Sequence, residues 1–172
     1  MSEGSPGDFQ PEAVVELLGR HRVRYVLIGG LAGIAHGAPF VTVDTDICQA
    51  TDPANLEGLA AALREVHADL RGAEPGLPFQ LDAGTLARGD AFTFTTDIGA
   101  IDILATPAGT AGYDDLIRTA ETFRLFGHDV RIASVDDLIR MKRAAGRPKD
   151  LLAVEELGAL RSVLDEGPES AA

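Results

Sequence analysis

Residues 25–48 read YVLIGGLAGIAHGAPFVTVDTDIC, and the order of chemistry along this stretch decides the fold. An apolar, β-rich run ends in Gly29-Gly30, and after a short excursion a second β-rich run carries two aspartates, Asp44 and Asp46. Side chains alternate faces along a strand. A strand over 41–48 therefore sends Val41, Val43, Thr45 and Ile47 one way and Thr42, Asp44, Asp46 and Cys48 the other. The two aspartate Cα atoms then lie roughly 7 Å apart on one face. Carboxylates so close repel and raise at least one pKa unless a cation neutralises them, and hard oxygen ligands at this spacing suit Mg²⁺. The glycines bring backbone N–H groups close to phosphate, and a helix starting behind them turns its positive end the same way. Together these features point to chemistry on a nucleoside triphosphate. Each alone has a plainer reading: tight strand-to-helix packing for Gly29-Gly30, a solvated edge strand for the Asp-x-Asp.

A third acid strengthens the case. Asp102 sits in Ala100-Ile101-Asp102-Ile103-Leu104, a β-branched apolar run of the kind that forms a buried strand. An unpaired buried carboxylate is costly, so Asp102 needs a partner. A metal shared with Asp44 and Asp46 is one; a salt bridge to Arg24 or Arg131 is the other.

Composition bounds the rest. A chain of 172 residues, 45% apolar, is long enough for one well-packed domain. No apolar run suits a membrane span. The segment MSEGSPGDFQ lacks the basic and apolar regions of a signal peptide, so a cytoplasmic location is expected. The single cysteine, Cys48, excludes an internal disulfide and a zinc site built from several thiolates, and it reads as a packing residue. His36 reads as turn-exposed, and His21, His67 and His128 are too scattered to form a ligand set. A net charge of −12 argues against a broad electrostatic grip on nucleic acid, but leaves a local basic cluster at Lys142–Lys149.

Around these motifs the spacing predicts a helix over 11–19, a strand over 22–28, a helix over 31–36 and the strand over 41–48. Asp52-Pro53 caps and starts a further helix, with Leu56, Leu59, Leu63, Val66 and Leu70 at helical spacing. A loop over 72–78 and a short strand over 79–82 follow. Residues 91–96 and 100–105 read as a hairpin turning at Asp97-Ile98-Gly99. A helix over 114–123 and a strand over 128–133 come next. Ser134 with Asp137 begins a helix over 135–145; Gly146 and Pro148 break it, and a last helix runs over 149–164. Strands alternating with helices, plus one hairpin, imply an α/β (α+β) fold: a mixed sheet with helices packed on it. The expected organisation is a disordered leader over 1–10, a single domain over 11–165 whose C-terminal helical element spans 134–165, and a disordered tail over 166–172. Lys142 and Lys149 are too interrupted by Gly146 and Pro148 to share one helix, so they form either a bent basic rim or a solvated surface.

The order Gly-Gly, Asp-x-Asp, then a lone Asp in a later strand resembles the nucleotidyltransferase superfamily. Residues 132–151, IASVDDLIRMKRAAGRPKDL, resemble the C-terminal element of small bacterial nucleotidyltransferase-like proteins related to the AbiEii toxins. The likeness spans roughly residues 22–160. It implies a sheet of the polymerase β-like type and transfer of a nucleoside monophosphate from an NTP to a hydroxyl of tRNA, protein or a small molecule. By position, Gly29 and Gly30 would hold the triphosphate, and Asp44 and Asp46 would ligate Mg²⁺ (or Mn²⁺). Asp102 would be the third ligand or activate the acceptor hydroxyl. Lys142 and Lys149 would contact phosphate or stabilise the leaving pyrophosphate, and Arg147 would join that grip or hold Asp150. A toxin–antitoxin partner is also implied. Two positions depart from the pattern: Phe40 stands where relatives commonly have arginine, and Ala153 where they often have an acid. These departures and the acidic charge keep open a second reading, a non-catalytic nucleotide- or protein-binding module of the same fold.

Overall fold

The computed structural model describes residues 7–72 and 78–167, and among them seven strands pair into one mixed sheet. The strands are β1 (Tyr25–Ile28), β2 (Asp44–Gln49), β3 (Asp69–Leu70), β4 (Ala91–Thr96), β5 (Gly99–Leu104), β6 (Glu121–Leu125) and β7 (His128–Ile132). Their spatial order is β3-β4-β5-β2-β1-β7-β6. The helices are α1 (Pro11–Arg20), α2 (Gly29–His36), α3 (Pro53–Glu65), α4 (Ala83–Arg88), α5 (Tyr113–Leu116), α6 (Val135–Ala145) and α7 (Pro148–Glu166). This is the mixed α/β architecture expected from the sequence, with α6 and α7 forming a C-terminal helical pair. No helix among the described residues is long and apolar enough to cross a membrane.

The middle of the sheet is where packing and chemistry divide. β2 runs parallel to β5 and antiparallel to β1. Thr45, Ile47, Ile101, Ile103 and the neighbouring Phe94 are all fully buried, while Asp44, Asp46 and Asp102 on the opposite face are only half-buried. Strand alternation therefore commits one face to the core and leaves the other for polar side chains. Leu56, Leu59 and Leu63 of α3 and Leu86 of α4 join the same apolar core. Asn55 anchors α3 to the sheet: its side chain accepts from the Arg24 N–H at 2.7 Å and donates to the carbonyls of Arg24 and Ala50. Asp52 caps α3 by accepting the Asn55 N–H, and Ser134 caps α6 by accepting the Asp137 N–H.

Several elements differ from the sequence expectation, each for a local reason. β2 begins at Asp44, not 41, so Val41 and Val43 lie outside the sheet and are 97% and 67% exposed. The helix expected over 114–123 stops at Leu116, and β6 follows. Leu125 pairs with His128 across Phe126-Gly127, both at positive φ, the backbone of a tight two-residue hairpin. That turn captures residues 121–125 for the sheet. No strand forms over 79–82, where Asp82 caps α4 through the Thr85 N–H; one edge strand of the sheet is instead β3, at Asp69–Leu70, where the helical spacing placed Leu70. Positions 73–77 of the expected loop and 168–172 of the expected tail lie outside the described residues, as do positions 1–6 of the expected leader. From Gly7 onward the leader is held to the β4–β5 hairpin: Gly7 N–H donates to the Thr96 carbonyl at 2.9 Å and Gln10 N–H to that of Ile98 at 3.1 Å.

Gly29 shows how the backbone makes room for the polar face. It opens α2 at φ +72°, and an added Cβ would stand 2.1 Å from Asp46 Oδ2. A side chain there pays the left-handed penalty of about 1–2 kcal/mol and must also push the carboxylate away. Gly158, inside α7, has open space around its Cβ position. Gly29→Ala is therefore expected to lose at least about 1–2 kcal/mol in urea unfolding, whereas Gly158→Ala gains about 0.5–1 kcal/mol. Equal effects at the two positions would contradict this account.

Candidate functional site

The register of β2 against β5 sets Asp46 directly beside Asp102, with Asp44 two residues earlier on the same face. One ligand oxygen from each of the three lies within 4.8 Å of the others. Adjacent strands are under 5 Å apart and same-face neighbours along a strand about 7 Å apart, so this convergence follows from pairing alone. It needs no loop.

Bringing three carboxylates together is electrostatically unfavourable. Burial, reinforced by the charges of Asp102 and Asp44, pushes Asp46 up to about 7, while Lys142 pulls the other way. Burial also raises Asp102, opposed first by a hydrogen bond from Asp46 and then by the guanidinium of Arg71. Asp46 Oδ1 is buried with no hydrogen-bond partner among the described residues, which is costly unless a cation satisfies it. A half-buried, all-carboxylate donor set with one orphaned oxygen fits a hard divalent cation such as Mg²⁺ or Mn²⁺.

The salt-bridge partner of Asp102 is neither Arg24 nor Arg131. Arg24 pairs with Asp52, and Arg131 donates to the carbonyls of Ile117 and Ala120. The partner is Arg71, whose Nη2 lies 3.0 Å from Asp102 Oδ1 and whose Nη1 lies 3.7 Å from Asp44 Oδ1. Nothing local in the sequence marks Arg71, because its placement depends on β3 joining the sheet edge.

The remaining residues converge from the other side. Gly29 and Gly30 form the first turn of α2, against Asp46 and Thr42 respectively. Lys142, on α6, borders two cavities. One, of about 160 Å³, is lined by Gly29, Asp46, Leu104, Met141 and Arg147 among others; the second, of about 290 Å³, by Gly30, Phe40, Val41, Lys149, Leu152 and Glu156. Lys142 and Lys149 thus reach one cavity from different helices, α6 being ended by Gly146 at φ +67° and α7 started by Pro148. Arg147 points its charge at Asp150, Nε to Oδ2 at 2.6 Å and Nη2 to Oδ1 at 3.2 Å, and so holds that carboxyl below the usual range. Asp150 is fully buried and also meets Lys142 Nζ at 3.5 Å, a positioning role the sequence reading had only partly assigned. His36 is not turn-exposed: its side chain is buried, stacked edge-on against Phe123, with Nε2 2.8 Å from the Ala133 carbonyl.

No protein-family model and no curated protein matches this sequence. Among solved structures, the fold is similar to that of the lincosamide antibiotic adenylyltransferase LnuA in its lincomycin-bound crystal structure. The two are 13% identical, the match covers 90% of this chain and 99% of that one, and the TM-score is 0.59. A candidate nucleotidyltransferase from Thermotoga maritima also aligns, at 18% identity over 93% of this chain and 97% of that one, with a TM-score of 0.47. At such identity the likeness to the adenylyltransferase is one of fold, and it agrees with the mixed sheet described above.

The electrostatics set a pH dependence. Without a bound cation, Asp46 has a folded pKa of about 7 against 3.8 as the ordinary value. Between those values the unfolded chain ionises first, so stability falls as pH rises from about 4 and levels off above about 7. Asp46→Asn cannot ionise. In EDTA at pH 8 it is expected to melt at a higher temperature than the wild type, the gap closing as the pH approaches about 4. A melting-temperature difference that does not change with pH would contradict the burial of this charge.

Proposed function

We propose that this protein transfers a nucleoside monophosphate from a nucleoside triphosphate to a hydroxyl acceptor, with Mg²⁺ or Mn²⁺ held by Asp44, Asp46 and Asp102. The observation that carries the reading is the meeting of three carboxylates, ligand atoms within 4.8 Å, where α2 begins and Lys142 approaches. Bound there, the cation supplies Lewis-acid stabilisation of phosphate charge and favours the ionised acceptor hydroxyl.

The chain's own groups do the rest. The free N–H groups of the first α2 turn, at Gly29 and Gly30, hold phosphate oxygens. Lys142 brings positive charge to the same group, kept in place by Asp150, which Arg147 in turn fixes. Lys149, at the larger cavity, meets the phosphates further along. Asp102 takes the proton of the acceptor hydroxyl. The acceptor oxygen bonds to the α-phosphorus, the bond from that phosphorus to the β-bridging oxygen breaks, and pyrophosphate leaves with the electron pair.

The net charge of −12 weighs against tRNA as acceptor, since nucleic-acid affinity rests mainly on cationic contacts to phosphate. A small-molecule or protein hydroxyl suits this surface better, and the structurally similar adenylyltransferase, seen with lincomycin, is a precedent for a small acceptor on this fold. The likeness of residues 132–151 to AbiEii-related proteins supports, on sequence alone, a role in a toxin–antitoxin pair. The second reading, a non-catalytic nucleotide- or protein-binding module, is favoured by Arg71 already bound to two of the three carboxylates and by Phe40 in place of arginine.

Incubation with labelled nucleoside triphosphates, Mg²⁺ or Mn²⁺ and separate pools of small hydroxyl compounds, protein and tRNA decides between them. Transfer with pyrophosphate release is expected, and Asp44→Ala should reduce it roughly 100-fold or more, the several kcal/mol that metal-held charge stabilisation supplies. Nucleotide binding by calorimetry without turnover in any pool would favour the binding module.

A further inference from the structure

We propose that Arg71 is the built-in counter-ion of the carboxylate triad, neutralising Asp44 and Asp102 until a divalent cation displaces it. The inference rests on the metal-binding reading above.

The placement of Arg71 is a product of sheet register. β3 pairs antiparallel with β4 through Asp69↔Thr95 and Leu70↔Phe94, and the next N–H, that of Arg71, donates to the Thr93 carbonyl at 2.8 Å. Arg71 is thereby level with Thr93, and Thr93 is the β4 partner of Asp102. Side chains at matching positions of neighbouring strands share a face. Arg71, the residue after β3, thus lies in a row with Thr93, Asp102 and Asp46 of β4, β5 and β2, with Asp44 beside it. The guanidinium ends on Asp102 Oδ1 at 3.0 Å and Asp44 Oδ1 at 3.7 Å. It bridges the first and third acids and leaves the middle one, Asp46, with an unpartnered oxygen.

A guanidinium does not lose its proton in proteins, so it cannot share these oxygens with a divalent cation by becoming neutral. Two positive charges within a few Å of each other repel. The arginine must move when the metal enters, and its side chain, 40% exposed, can swing into water without a large desolvation cost. Lys142, the other nearby cation, is already engaged by the fully buried Asp150 and is not free to replace it. A purely structural salt bridge predicts the opposite response to mutation: loss of Arg71 would loosen the triad and weaken metal binding.

The test is a Mn²⁺ titration of the full chain by calorimetry, at fixed pH and ionic strength, for wild type, Arg71→Ala, Arg71→Gln and Arg71→Lys, with circular dichroism to establish folding. The neutral variants are expected to bind Mn²⁺ about tenfold more tightly, as removal of one competing charge near the surface implies, and Arg71→Lys to stay near wild type. Unchanged or weaker binding in the folded neutral variants, beside a wild type that does bind Mn²⁺, overturns the counter-ion role and leaves the metal site standing. No Mn²⁺ binding by wild type or by either neutral variant overturns both readings. Should Arg71→Ala fail to fold, the near-isosteric Arg71→Gln carries the comparison.

Discussion

The parallel pairing of β2 with β5 is the constraint on which the rest depends, because it sets Asp46 against Asp102 with Asp44 alongside. The opposite face of the same two strands supplies the compensation. Ile47, Ile101 and Ile103 are completely buried there, and burial of each such side chain contributes roughly 1.5–3 kcal/mol. The register cannot slip by one residue without carrying the isoleucines out of the core. Apolar packing thus imposes the crowding of the acids. Stability on one face holds an electrostatically strained cluster on the other.

The surroundings of that cluster are arranged to tolerate it from two directions. From the sheet edge, Arg71 reaches across β4 to two of the acids. From the helical side, Lys142 lowers the cost of charging Asp46. Lys142 is itself oriented by Asp150, a carboxylate buried between α6 and α7 and clamped by Arg147. The break at Gly146 is what allows this. A continuous helix over 135–166 would carry Arg147 and Asp150 along one rod, whereas the bend lets the start of α7 fold its charges back on the end of α6.

Legibility in the sequence followed the range of the interactions involved. The strand with two aspartates, the hairpin over 91–104 and the capped starts of α3 and α6 depend on neighbours a few residues away, and these could be read from alternation, glycine and cap residues. Residues 121–123 read as the end of a helix because the alternation of β6 is short and its two-residue turn places a non-glycine, Phe126, at positive φ. The edge strand β3 was missed because Leu70 continues a helical apolar spacing that the fold interrupts at Val66. His36 lacked any local mark of burial; Phe123 and Ala133, which enclose it, arrive from the far end of the chain.

By itself the sequence determined the residue types of the site and the two strand alternations that put acids on one face and isoleucines on the other, since both are set by a period of two along the backbone. Only the tertiary structure decided which strands became neighbours. That choice made Asp46 and Asp102 a pair, brought Arg71 to them from the sheet edge, and turned Lys142 and Lys149 toward one cavity from separate helices. Pairing between distant segments is chosen by the packing of the whole core, and no spacing within a single segment encodes it.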